Sequence, residues 1–196
     1  MKITHFTSAL SITVLMFALG SCSPTMKVKN IDKGSDQLPT DTNLKNQEIL
    51  VRKNIRLSDY KQFLFVRTGS PGQTMGRYDH YVLGTLKNIG FFDHVYSETD
   101  MQKLIIQKGI VDQVNGSLDN IGMYNLQKEI GKFLIAQTFC EQVSKYTFEY
   151  HLEIIDPSSG ETIYYIKHKG TNWSGLDRPL FNPVFNDFIV WVNQNS

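Results

Sequence analysis

Net charge is almost missing from this chain of 196 residues: 20 Lys and Arg face 19 Asp and Glu. A nucleic-acid binder carries a basic footprint, so no nucleic-acid partner is expected. Cysteine is scarce as well. Two cysteines make neither a disulfide scaffold nor a four-cysteine zinc site. Proline is limited to six residues while aromatics reach 12%, which argues against wholesale disorder.

Signatures of catalysis are missing too. Thr68 to Gly76 joins a strand pattern to a helix pattern, where phosphate loops sit, because N–H groups converge at a helix N-terminus. It lacks the Lys-Ser/Thr of a phosphate loop and reads as a plain connection. Ser58-Asp59-Tyr60-Lys61 fits S-x-x-K, but no S-D-N or K-T-G follows it. His80, His94, His151 and His168 form no i,i+4 pair with a Glu motif. His151 and His168 lie on neighbouring strands of one hairpin pattern, and Glu149 or Glu153 would be a third ligand. A solvated hairpin face is the preferred reading. Cys140 follows a buried-looking strand and reads as an inert thiol. No enzyme activity, cofactor or metal is therefore expected.

What is present begins at the N-terminus. Lys2 precedes an almost continuous apolar run from Ala9 to Leu19. The run is too short for a membrane-spanning helix and has the length of a signal-peptide core. Leu19-Gly20-Ser21-Cys22 then resembles the bacterial lipobox. That resemblance implies cleavage before Cys22 and acylation of it, with three chains anchoring the protein essentially permanently. Ser23 in place of Asp implies the outer membrane, with the domain in the periplasm. Residues 1–21 are thus expected to be a signal peptide. Cys140 remains as a lone thiol.

Residues 22–47 are polar and rich in turn formers, and are expected to form a flexible tether with a reach of roughly 80–90 Å. Residues 48–196 are expected to fold as one domain. Phe63 to Val66 is an apolar run bounded by turn residues, a buried strand. Tyr78, Val82, Leu86 and Ile89 have helical spacing, with Gly90 as the stop. Phe91 to Tyr96 reads as a strand. Thr99 to Gln102 fits a capping box for the next helix. A short helix is expected from Tyr124 to Gly131, and a strand from Phe133 to Phe139.

Phe148, Tyr150, Leu152 and Ile154 alternate with Glu149, His151 and Glu153, which predicts one dry and one wet face. Asp156 to Gly160 supplies a turn, and Thr162 to Lys169 returns as the hairpin partner. Asn182 before Pro183 predicts the cap of a last helix, whose apolar stripe closes over the sheet. The expected class is α+β: a mixed sheet of four to five strands with a β-hairpin, packed by helices, in the order β-α-β-α-β-β-β-α.

Three stretches carry a family resemblance: Gly90-Phe91-Phe92 through Asp100-Met101-Gln102-Lys103-Leu104, Leu126 through Gly131-Lys132-Phe133-Leu134-Ile135-Ala136, and Leu152-Glu153-Ile154-Ile155-Asp156 with Ser159-Gly160-Glu161. In this order they resemble the periplasmic α/β module shared by the curli-secretion lipoprotein CsgG, the penicillin-binding-protein activator LpoB and the N-terminal domain of TolB. The resemblance implies a non-catalytic module that binds another protein of the cell envelope or a secretion machine. Its narrower implication is activation of a peptidoglycan synthase. A small envelope hydrolase built on His151, Glu153 or Ser58 is the rival from another class. Trp173 in the loop before the last helix, and Tyr164, Tyr165, His151 and Glu153 on the hairpin, are the expected partner contacts. A homo-oligomer is a further expectation.

Overall fold

The structure is a computed structural model that describes residues 26–31, 36–69, 78–114, 118–172 and 175–196. The signal peptide, Cys22, Trp173 and most of the Thr68–Gly76 connection lie outside the described residues.

The fold is α+β, as the alternating patterns predict. Strands are β1 (Ile49–Arg52), β2 (Phe63–Thr68), β3 (His94–Tyr96), β4 (Leu134–Gln142), β5 (Thr147–Asp156) and β6 (Glu161–Thr171). Helices are α1 (Asp79–Ile89), α2 (Glu98–Lys108), α3 (Asn120–Ile130) and α4 (Asn182–Asn195). The six strands form one sheet in the order β1-β6-β5-β4-β2-β3. β2 runs parallel to both β3 and β4, while the β4–β5, β5–β6 and β6–β1 pairs are antiparallel. The sheet thus has one more strand than the upper expectation. β1 was illegible because four residues show no period, and its partner β6 lies more than a hundred residues away.

Each strand divides its residues between two faces. On the first face Leu64, Val66, Leu134, Ala136, Tyr150, Leu152, Ile154, Tyr164 and Ile166 are buried in one cluster with residues of α1 and α4. On the second face Phe63, Phe65 and Ile135 pack with Phe133 and with Met101, Ile105, Met123 and Leu126 of α2 and α3. A fully buried aromatic or aliphatic side chain of this kind contributes about 1.5–3 kcal/mol. The second cluster is the smaller. It uses residues of β2 and β4, with Ile155 of β5 at its edge and nothing from β6; among the described residues, the second face of β5 from Glu149 to Glu153 and that of β6 lie outside it.

Local signals mostly act where they stand. Gly90 takes φ 72° and ends α1, a conformation that costs other residues a Cβ clash. Two caps differ from expectation. α2 starts at Ser97, whose Oγ accepts from the Asp100 N–H at 3.2 Å while Asp100 Oδ2 accepts from the Ser97 N–H at 3.1 Å. This capping box sits two residues before the one read at Thr99, because the chain leaves β3 already turning. Asn182 does not cap α4. The helix is entered through a π-turn at Asp177–Phe181, so Asn182 already has helical φ and ψ. Its buried side chain instead donates to the Pro39 carbonyl at 2.6 Å and accepts from the Tyr81 hydroxyl.

The expected tether is corrected in its described parts. Leu38 is 2% exposed in the first core cluster, and Met26, Val28, Ile31 and Leu44 pack against that cluster. Asn186 of α4 accepts from the Leu38 N–H at 2.7 Å and donates to the Leu38 carbonyl at 2.9 Å. Lys29 Nζ meets Asp177 at 2.9 Å. Polar composition hid a strap held by few apolar residues and by hydrogen bonds to side chains distant in sequence.

Candidate functional site

Beyond this second cluster, the second face of β5, β6 and the end of β4 from Phe139 to Glu141 gathers chemistry by register. Odd-numbered residues of β5 point to it, because a strand alternates sides. Cross-strand partners put Glu141 opposite Glu149 and Phe139 opposite His151. On the other side Lys169 faces Glu149, Lys167 faces His151, and Tyr165 faces Glu153.

His151 is the centre. Its Nε2 lies 3.0 Å from Glu149 Oε1 and its Nδ1 lies 2.8 Å from the Tyr165 hydroxyl. An ionised carboxylate only accepts, so Nε2–H donates to Glu149 and Nδ1 accepts from the tyrosine O–H. The Phe139 ring stacks on the imidazole, with centroids 3.8 Å apart and planes at 19°. Burial pushes the His151 pKa below its ordinary value, against the pull of Glu149. Burial works to raise the Glu149 carboxyl, but the hydrogen bond from Lys169 Nζ at 3.3 Å and the neighbouring His151 outweigh it and hold that group below its usual range. The neutral ring and ionised carboxylate agree with the hydrogen-bond directions.

This corrects the wet face. Glu149 and His151 are 9% and 6% exposed, although neither lies in a hydrophobic cluster with a helix of the described residues. Glu153 is partly buried and accepts from the Thr162 hydroxyl. Tyr165 is partly exposed beside the ring. Tyr164 is removed from the contact candidates: it is fully buried on the first face, where its hydroxyl donates to Asp187 at 2.9 Å. The structure therefore brings His151, Glu153 and Tyr165 to one face and puts Tyr164 beneath α4.

His151 and His168 do not meet. The register pairs His151 with Lys167 and His168 with Tyr150, so the two rings point to opposite faces. His168 Nδ1 lies 2.8 Å from Glu48 on the first side. Glu141, Phe139 and Lys169 were missed. The i,i+2 relation of Glu149 and His151 was legible, but which residue of β4 stands opposite depends on the turn between the strands. Among the described residues, Glu141, Glu149 and His151 also offer one donor atom each within 4.8 Å of one another. Ser58 is exposed in a short 3-10 turn (Leu57–Tyr60). The Cys140 thiol is buried and pushed up to about 12 by that burial, which disfavours the thiolate at neutral pH.

No family model matches the chain, and no curated protein matches it. Similar solved structures include the LpoB C-terminal domain from Escherichia coli, at 14% identity and TM-score 0.38 over 58% of this chain and 85% of that one. The lipoprotein GNA1162 from Neisseria meningitidis is similar at 14% identity and TM-score 0.37, over 68% of this chain and 95% of that one. A PelC dodecamer from Paraburkholderia phytofirmans is similar at 14% identity and TM-score 0.35, over 74% of this chain and 92% of that one. LpoB, one part of the resemblance read from sequence, is thus among the similar structures; CsgG and TolB are not shown. Likeness at these scores carries no functional argument.

Proposed function

We propose that this chain is a lipid-anchored protein of the bacterial envelope whose domain binds a partner protein and catalyses nothing itself. The observation that carries the reading is the sheet's asymmetry. Its first face is sealed by α1, α4 and the strap, while the second face of β5 and β6 presents Tyr165, Lys167, Lys169 and Glu153 beside the buried histidine. Rigid strands, an aromatic and paired charges of both signs are the materials of a specific protein contact. The lipobox-like Leu19 to Cys22 supplies the anchor, and Ser23 favours the outer membrane with the domain in the periplasm. Among the described residues no helix is long and apolar enough to cross a membrane.

The test is photo-crosslinking in cells from Lys167 and from Glu141, with Glu129 on α3 as the distant control. A specific adduct from the first two and none from the control is expected. No specific adduct, or the same adducts from all three, removes the reading. A captured peptidoglycan synthase selects the narrower role that the sequence resemblance implies. An adduct of twice the chain's own mass identifies a homo-oligomer.

A further inference from the structure

We propose that Glu141, Glu149 and His151 form a binding site for a divalent transition-metal ion of the zinc type on the open face of β4 and β5. The placement follows from the sheet. Glu149 and His151 are two residues apart on one strand and so share a face, and Glu141 is the register partner of Glu149. One donor atom from each lies within 4.8 Å of the other two. An imidazole nitrogen and carboxylate oxygens are the ligands zinc takes when thiolates are absent.

Two further features point to a cation. Directly opposed carboxylates on neighbouring strands repel, and here one of the two is buried. Lys169 answers only part of that charge: it reaches Glu149 Oε2 at 3.3 Å with a side chain 57% exposed, free to turn outward when an ion arrives. The second feature is the support behind His151. Its far nitrogen is held by the Tyr165 hydroxyl and its ring by Phe139, the kind of outer contact that aims a metal-ligating histidine. On binding, the proton now on Nε2 moves to Nδ1, Tyr165 turns from donor to acceptor, and Nε2 is freed for the ion. No net proton leaves the imidazole. Glu141 is exposed, so a remaining coordination position faces solvent, open to water or to a ligand atom from a docked protein.

The proposal is independent of the lipid anchor and of any partner. The full chain, purified in detergent and stripped by a chelator, is titrated calorimetrically with Zn²⁺ alone. Saturable binding of a single ion is expected, lost in His151→Ala. Glu141→Gln alters an exposed side chain and should weaken binding by about tenfold or more, and Tyr165→Phe by about tenfold through loss of ring orientation. His80→Ala, at an exposed histidine on α1, should bind as the parent does. Absence of saturable binding in the parent overturns the proposal. So does parent-like affinity in both Glu141→Gln and Tyr165→Phe, which decide the matter even where His151→Ala fails to fold.

Discussion

His151 sits between a carboxylate that accepts from it and a tyrosine that donates to it. Burial lowers its pKa below 6.5, with Glu149 pulling upward and Lys167 pressing downward. The unfolded chain therefore takes up a proton near pH 6.5 that the folded ring still refuses. Stability from this group is complete above that pH and is lost as pH falls toward the folded value. Glu149 acts in the same sense lower down, since its folded pKa is depressed. Glu141, Glu153, Lys167, Lys169 and Tyr165 face the same pair and screen it. The urea midpoint of the parent should thus drop between pH 7 and pH 5. His151→Gln should flatten that slope, and parallel slopes in the two proteins would refute the assignment. At this scale the sequence showed a histidine between two glutamates and no more. That Glu149 is buried, and that Tyr165 and not Tyr164 reaches the ring, depended on the register between strands.

Elements were the most legible part of the fold. A period of two over β5 and a period near four over α1 are set by backbone geometry, and they survive in any tertiary context. Turn chemistry was equally local: Asp156 accepts from the Ser158 N–H at 2.8 Å, and Gly160 takes φ 71° to close the hairpin. Illegible elements were those defined by distant partners, namely β1, the π-turn and the strap. Gly84 in the middle of α1 shows the same dependence. A Cβ built there would lie 2.5 Å from Val28 Cγ2, so the strap uses the missing side chain as its seat. Ala is better than Gly in a helix by about 1 kcal/mol. Gly84→Ala should therefore leave global stability near or slightly above that of the parent while residues 26–31 become easier to cleave. Limited proteolysis beside a urea melt separates the two effects. Unchanged cleavage at the strap would show that Val28 does not depend on Gly84.

For the whole molecule, the strap changes how an anchored domain sits. A tether running to residue 47 would let the domain wander tens of ångströms from the bilayer. With residues 26–31 packed on the domain, an anchor at Cys22 is followed by residues 23–25 alone, a reach of about 14 Å at full extension. The strap side, around Lys27 and α1, is then expected near the lipid surface, with the open face of β5 and β6 turned away from it. Depth measurements with lipid-borne quenchers should find a probe at Lys27 close to the bilayer and one at Lys167 distant. Equal depths would mean that the strap does not moor the domain. The anchor is checked separately, since Cys22→Ser should abolish incorporation of labelled palmitate, and retained labelling removes the lipid from the account. Together these outcomes distinguish a missing anchor from a loose one.

Sequence alone determined what depends on neighbours along the chain. These are the near-neutral charge, the alternation of β5 and β6, the stripe of α4, and the helix stop at Gly90. Tertiary structure decided what depends on residues far apart: a sixth strand, a strap where a tether was expected, the burial of Tyr164, the separation of His151 from His168, and the meeting of Glu141 with Glu149. The physical reason is the sheet itself. Periodicity assigns a residue to one of two faces, but only pairing register and helix placement say which face is covered and which residue stands opposite.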